Sequence, residues 1–250
     1  MVKKVSGIIL GLLLLVNPAH LRAEEFMKPT LLSLMQTMFR FGALDVNNDV
    51  VVDDYAKVAE CDLYTAFHMD DFRWQKIRAG LRSKIRDEVV TYPTNYYVSG
   101  YMHLDRYDFE NKLFKLSSDE VRSGFNSFTL GDSYDSICGS KLKILPPTYF
   151  AVLESQIHVP GFVMDEADAD ALLSRMNETG NVDRQVMARF NLRVVFIDKA
   201  PVDYSKMDDW YKGSVWVGKV RELHMNSRLE SIEFFEDKSM TKRIYVYHPN

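Results

Sequence analysis

Apolar residues recur with the period of an α-helix over three stretches in the first third of the chain. These stretches are residues 30–41, 52–67 and 71–89. Thr30 is placed to cap the first helix, and Asp70 or Asp71 is placed to cap the third. The third helix must end before Pro93, because the residue that precedes a proline is disfavoured in the α region.

From residue 95 onward, the pattern changes to aromatic and β-branched runs between clusters of Gly, Asp, Asn and Ser, which is typical of strands. The predicted strands are 95–104, 111–116, 125–130, 141–145, 192–197, 210–220, 229–235 and 243–247. The last two predict a hairpin around residues 237–239. One helix interrupts the strands, with Asp165 as its N-cap and Gly180 at its C-terminal end.

This order of elements predicts an α+β fold, because the helices are segregated from the strands. We expect a single domain over residues 24–250, with a helical part over 24–90 and a β-rich part over 91–250. The N-terminal helices should pack on a mainly antiparallel β-sheet or sandwich, which carries one further inserted helix.

The first residues follow the order of a cleaved secretory signal peptide over 1–23. Lys3 and Lys4 precede an apolar run over Ile8–Val16, and Ala23 supplies a small residue before the predicted cut. The run is shorter than the ~20 residues that span a bilayer, so a permanent anchor is the weaker alternative. The sequence therefore predicts a periplasmic or secreted protein with no membrane span after cleavage.

Composition and charge narrow the class of partner. The chain has 35 acidic and 31 basic residues, and signal cleavage would remove Lys3, Lys4 and Arg22. Binding to nucleic acid depends on clustered Lys and Arg that neutralise phosphates, so this balance argues against a nucleic-acid partner. The hydrophobic content of 46% is that of a globular protein, not of a disordered one.

Cys61 and Cys138 are the two cysteines of the chain. In an exported protein, an even pair most often forms a disulfide. Two buried free thiols and a reactive pair are the alternatives, although neither cysteine lies in a Cys-x-x-Cys motif or near a His in the sequence. We predict a structural disulfide.

An Asp- and Asn-rich segment presents oxygen ligands at positions 1, 3, 5 and 9 of an EF-hand-type calcium loop: Asp45, Asn47, Asp49 and Asp53. Two other positions depart from that pattern. Val50 stands where the sharp turn requires Gly, and Ala56 stands where a bidentate Glu should complete the coordination. The alternative is a turn between helices, in which Asp53 or Asp54 caps the second helix.

Two residues are candidates for catalysis. Ser133 follows Gly131-Asp132 in a block that looks like the nucleophile block of GDS-type esterases, but no His is preceded by Asp three residues earlier. A Gly-Asp-Ser turn after a strand is the interpretation that the sequence favours. His68 lies three residues before Asp71, which could orient it as an acid–base group, or it could cap the second helix. We assign no catalytic or cofactor-binding residue.

Aromatic residues are dense in two parts of the chain and could line a glycan or peptide groove, or pack a sheet. They are Tyr92, Tyr96, Tyr97, Tyr101 and Tyr107, and then Trp210, Tyr211 and Trp216.

Two stretches carry a resemblance to a known family: Cys61–Tyr64 leading to Asp71–Trp74, and Asp105–Glu110 ending near Phe114. They resemble segments of an uncharacterised family of exported bacterial proteins, a domain of unknown function. The resemblance implies a periplasmic location and transfers no catalytic residue. We therefore expect a non-enzymatic binding or envelope-assembly accessory protein with a protein partner. The alternatives are an exported serine or acid–base hydrolase and a calcium-stabilised module.

Overall fold

A computed structural model describes residues 25–117, 124–132, 137–140, 142–143, 148–159, 161–197 and 222–249. Four of the sequence predictions lie outside these residues: the signal peptide over 1–23, the Ser133 nucleophile, the strand over 210–220 and the second aromatic cluster over 210–216.

The helical part has the bounds α1 Leu31–Arg40, α2 Asp49–Ala59, α3 Cys61–Phe67 and α4 Asp71–Glu88, followed by a 3₁₀ turn over Val89–Thr91. Thr30 caps α1 as predicted, since its hydroxyl accepts from the Ser33 backbone N–H at 3.1 Å and Ser33 Oγ accepts in return from Thr30 N–H at 2.9 Å. Asp70 caps α4 by accepting from Arg73 N–H at 3.1 Å. Both predicted N-caps are therefore confirmed.

The predicted single helix over 52–67 is wrong in two respects. It is two helices, because Glu60 leaves the helical conformation at φ −139° and ψ 50° and separates α2 from α3. The first of them also begins earlier than predicted. Its N-cap is Asn48, whose side chain accepts from Val50 N–H at 2.9 Å, so neither Asp53 nor Asp54 caps it.

The β-rich part has eight strands in the described residues and one helix, α5. Their bounds are β1 Asn95–Asp108, β2 Leu113–Leu116, β3 Phe125–Asp132, β4 Thr148–Ile157, β5 Gly161–Val163, α5 Glu166–Glu178, β6 Gln185–Ile197, β7 Glu222–Phe235 and β8 Arg243–Tyr247. Gly180, at φ 73°, follows α5 as predicted. Asp165 is at the N-cap position of α5, but its side chain makes no capping hydrogen bond.

The eight strands form one sheet in the order β3-β4-β7-β6-β1-β2-β5, with β8 paired to β7. Every described pair is antiparallel except β4 with β7. The predicted α+β class and the mainly antiparallel sheet are confirmed. The predicted hairpin is also present, because β7 and β8 pair on either side of residues 237–239.

The strand predictions fail between β3 and β6. Strands β4 and β5 were not predicted at all, and of the strand predicted over 141–145 the structure describes residues 142–143, which are not in a strand. The parallel pairing of β4 with β7 joins residues far apart in the sequence, so no turn signal marks it.

A shared hydrophobic core joins the helices to the sheet. Tyr96 on β1 is fully buried, and its hydroxyl donates to the Ser33 carbonyl of α1 at 2.8 Å and lies in hydrogen-bond contact with Thr37. Burial raises the pKa of Tyr96 above its ordinary value, although the hydrogen bonds oppose that shift. This buried tyrosine fixes α1 against the centre of the sheet.

Candidate functional site

Cys61 and Cys138 lie at disulfide distance, with their sulfur atoms 2.13 Å apart. Cys61 is the first residue of α3, and Cys138 lies in the connection between β3 and β4. The pair therefore ties the helical part to the β-rich part at the start of α3.

A buried ion pair makes a second connection beside this one. Lys57 Nζ lies 3.0 Å from Asp54 Oδ1, and both side chains are almost fully buried. Asp54 also accepts from the Lys143 backbone N–H at 2.6 Å. Because a buried charge is costly unless it is paired and hydrogen-bonded, these contacts hold α2 in one position against the β3–β4 connection.

Aromatic contacts hold α3 against α4. The Tyr64 ring stacks on His68 with centroids 4.5 Å apart, and meets the Trp74 ring edge-on at 5.4 Å. Trp74 Nε1 donates to Asp53 Oδ1 of α2 at 2.9 Å. Lys57 Nζ lies 5.4 Å from the centroid of the Tyr64 ring. Residues 68–72, which we call the α3–α4 turn, are thus supported by helices packed on each other.

Two large apolar side chains of the α3–α4 turn point into solvent. Met69 is 84% exposed and Phe72 is 87% exposed. They are three residues apart at the same turn, and Phe72 lies in the first turn of α4. Single exposed apolar residues are ordinary on protein surfaces, but two such exposed side chains on one supported turn form a candidate contact site.

The charges around these two side chains are mixed. Arg73 Nε lies 3.3 Å from Asp70 Oδ2, so that carboxylate is partly neutralised. Asp71 is exposed, and within the described residues no basic side chain lies within ion-pair distance of it. The α3–α4 turn therefore presents an apolar pair beside one acidic group that is free to meet a partner.

The acidic segment that resembles a calcium loop is held by arginines of α4. Arg78 donates to both carboxylate oxygens of Asp53, from Nε at 2.7 Å and from Nη2 at 2.6 Å, and its Nη1 donates to Asp49 at 3.2 Å. Arg82 also pairs with Asp49. The hydrogen bond to Asp53 raises the pKa of Arg78. Guanidinium groups thus occupy the positions that the sequence pattern offers to a cation.

The other two predicted ligands of that loop also have protein partners. Asn47 Oδ1 accepts from Arg86 Nη2 at 2.6 Å, and Asp45 Oδ1 accepts from the Asn47 backbone N–H at 2.9 Å. In the part of the chain that the structure describes, no group of three or more His, Cys, Asp or Glu side chains is arranged to hold a metal. Calcium would have to displace the arginines, so calcium binding remains a prediction to be measured.

His68 lies at the C-terminal end of a helix, as the capping alternative predicts. It is the C-cap residue of α3, and its Nδ1 lies 2.9 Å from the Tyr64 carbonyl oxygen. In the described residues no hydrogen bond joins it to Asp71, the predicted orienting carboxylate. Its ring nitrogen and its ring face are both used in contacts within the helical part.

The first aromatic cluster of the sequence divides between the core and the surface. Tyr92 and Tyr96 are buried, and Tyr97 and Tyr107 are half-buried. Tyr101 differs, because it is 49% exposed on β1. The second cluster, over 210–216, lies outside the described residues. Packing therefore explains most of the first cluster, and Tyr101 is left as its one solvent-facing member.

The residues that the sequence analysis missed are Met69 and Phe72. A signal for Phe72 was present, because the buried residues of α4 are Trp74, Leu81 and Ile85 and position 72 falls outside that helical stripe. An apolar residue off the apolar face of a helix must be exposed unless another element covers it. For Met69, which precedes the N-cap, no such pattern exists.

Residues 47–156 match the family model of DUF4852, a domain of unknown function. The matched range includes α2, α3, α4 and both cysteines, and thus the whole α3–α4 turn. The resemblance to an uncharacterised family is confirmed. No curated protein and no solved structure matches the chain. No helix in the described residues is both long enough and apolar enough to cross a bilayer.

Proposed function

We propose that this chain is an exported, non-enzymatic protein that binds a protein partner in the cell envelope through its α3–α4 turn. Met69 and Phe72 are the anchors of the contact, and the partner supplies an apolar pocket that takes both side chains. Asp71 lies beside them and favours a basic group at the edge of that pocket.

The observation that carries the proposal is the exposure of Met69 and Phe72 on a supported turn. Aromatic residues and Met are enriched in protein interfaces, and a few buried anchors supply most of the binding free energy. A rigid anchor loses little conformational freedom on binding. The stacking of Tyr64 on His68 and the capping of α4 by Asp70 supply that rigidity.

Two features support export. The predicted signal peptide over 1–23 would direct the chain out of the cytoplasm, and disulfides persist in oxidising compartments such as the periplasm. The sulfur atoms of Cys61 and Cys138 lie at bonding distance. This pair belongs to the same part of the fold as the α3–α4 turn, because Cys61 begins α3.

The test compares purified variants as baits in detergent extracts of the native cell envelope. The baits are wild type, the double variant Met69→Ser/Phe72→Ser, and the control Phe109→Ser. Phe109 is a matched control because it is also an exposed aromatic residue, at 71%, and it lies in the connection between β1 and β2.

We expect one protein to be retained by wild type and by the Phe109 variant, and to be lost from the double variant. Truncation of a central anchor typically weakens binding by about 2 kcal/mol or more, which is more than tenfold. Retention of the same proteins by all three baits would contradict the proposal. All variants should unfold at the wild-type temperature, since each altered side chain is exposed.

A further inference from the structure

A cleft of about 460 Å³ lies far along the chain from the α3–α4 turn. Its floor includes Tyr101 and Met187, which are directly paired residues of β1 and β6. One wall is the connection from α5 to β6, over 179–185, and the other is the turn between β7 and β8, over 236–242. The volume lies in the range of ~300–1,000 Å³ that small-molecule sites occupy.

Side-chain hydrogen bonds to the backbone hold both walls in place. On the α5–β6 wall, Asn181 Oδ1 accepts from Gln185 N–H at 2.9 Å and its Nδ2 donates to the Gln185 carbonyl at 2.7 Å. On the β7–β8 wall, the Asp237 carboxylate accepts from Lys242 N–H at 2.7 Å and from Thr241 N–H at 3.1 Å. These bonds shape the cleft before any ligand enters, which lowers the entropic cost of binding.

Internal contacts engage two of the acidic groups at the cleft, and of these two Glu236 is neutralised by an ion pair whereas Asp237 stays charged. Glu236 pairs with Arg175 at 3.0 Å. Hydrogen bonds within the β7–β8 turn hold the pKa of the Asp237 carboxyl well below its ordinary range. Four charged side chains that line the cleft have no ion-pair partner among the described residues: Lys238, Lys242, Asp183 and Asp237. The carboxylate oxygens of Asp237 already accept hydrogen bonds within their own turn.

These four charges are divided unequally between the walls. Both lysines and Asp237 belong to the β7–β8 wall, which keeps a net positive charge, and Asp183 belongs to the α5–β6 wall. The C-terminal end of α5 is also part of that second wall, and a helix C-terminus carries partial negative charge. The cleft thus has a positive side and a negative side, with the exposed ring of Tyr101 in its floor. Lys238 Nζ lies 5.5 Å from the centroid of that ring.

We propose that this cleft binds a small zwitterion of the amino-acid or short-peptide class. The ligand carboxylate meets Lys238 and Lys242, its ammonium group meets Asp183, and its body lies over Tyr101. A simple anion fits less well, because the negative side of the cleft would repel it. This site is independent of the partner surface at the α3–α4 turn.

Trialanine is the probe, titrated into the full-length mature chain and followed by calorimetry. We expect saturable binding. The double variant Lys238→Ala/Lys242→Ala and the single variant Asp183→Asn should each weaken it by about tenfold or more, since each removes a charged group that hydrogen-bonds the ligand. Lys76→Ala is the matched control, because it removes an exposed lysine from α4 and should leave binding unchanged.

Two modified peptides test the pairing of charges. N-acetyl-trialanine lacks the ammonium group and trialanine amide lacks the carboxylate, so each should bind about tenfold more weakly than trialanine. The proposal is overturned if trialanine does not bind saturably, if either capped peptide binds as tightly, or if the Lys76 control loses as much affinity as the cleft variants. Unfolding curves that match wild type exclude misfolding of the exposed-site variants.

Discussion

At the scale of a single residue, Asp53 of α2 binds two side chains of α4. It accepts from the Trp74 indole and from two nitrogens of Arg78, so one carboxylate of α2 binds two successive turns of α4. Its side chain is one-quarter exposed, and that of Arg78 less. Such a bidentate, partly desolvated contact is stronger than an exposed ion pair, which typically contributes under about 1 kcal/mol.

Asp53→Asn should lower the free energy of unfolding by about 1–3 kcal/mol, because it removes the bidentate charged acceptor of Arg78 and leaves that guanidinium with its contact to Asp49. Urea denaturation at neutral pH measures the change. Asp170→Asn on the exposed face of α5 is the control and should stay within about 0.5 kcal/mol of wild type. If the two substitutions lower the free energy of unfolding equally, the contact between Asp53 and Arg78 does not stabilise the fold more than an exposed side chain does.

Glu233 belongs to a polar network on the sheet. Burial would raise the pKa of this carboxyl, but hydrogen bonds from Arg243 and Asn191 and the positive charge of Arg189 outweigh it and lower the pKa below its ordinary value of 4.5. A carboxyl with a depressed pKa in the folded state stabilises the protein above its unfolded-state pKa. That contribution is lost as the pH falls through the folded-state value.

Glu233→Gln should therefore destabilise the protein at neutral pH and have a shrinking effect as the pH falls below 4.5. Urea unfolding of wild type and variant across the acidic range gives the difference at each pH. Glu110→Gln, at an exposed position between β1 and β2, serves as the comparison. A destabilisation by Glu233→Gln that does not depend on pH would show that charge is not its cause.

At the scale of elements, α4 clamps the acidic loop through Arg78, Arg82 and Arg86. Because these cations already satisfy the oxygen atoms, added calcium should leave the unfolding temperature of wild type unchanged. Differential scanning fluorimetry with calcium, and with magnesium as a control, measures this. A calcium-specific rise that disappears in Asp49→Ala would establish the metal site that the sequence pattern predicts.

The pair of cysteines acts between elements as well, since it ties α3 to the β3–β4 connection across 77 residues of sequence. Cys61→Ser/Cys138→Ser should lower the free energy of unfolding by about 2–5 kcal/mol. Chemical denaturation with and without a reductant checks this, and reductant should affect wild type but not the double variant. If reduction leaves wild type unchanged, the two sulfurs are not bonded in solution.

The elements that the sequence predicted well are those with local determinants. α1 and α4 have an apolar stripe and an N-cap within their own residues, and the β7–β8 hairpin has its turn beside its strands. β4 was missed because its register with β7 depends on residues about 74 positions away. The break at Glu60 was missed because apolar residues continue on both sides of it.

The candidate sites could not be predicted from the sequence, because each depends on how separate elements pack in the folded molecule. Sequence reasoning selected His68 for an acid–base role oriented by Asp71, and the structure shows no contact between these two residues. Met69 and Phe72 are candidate contact residues because they are exposed. Their exposure depends on which elements pack around the turn, and the sequence alone does not give that packing. The cleft is harder still to predict from the sequence, because its lining residues come from four separate elements.

On the whole-molecule scale, the sheet and the helices share one core. Under the proposed function, that core holds the α3–α4 turn in place for a partner. The most direct test is photo-crosslinking in intact cells, with a photoreactive phenylalanine analogue placed at Phe72 and, in a separate strain, at Phe109. Both positions are exposed aromatic sites, so the substitution itself is equally tolerated. We predict one discrete crosslinked protein from position 72 and none from position 109. Identical crosslinking patterns from both positions, or none from position 72, would contradict the account.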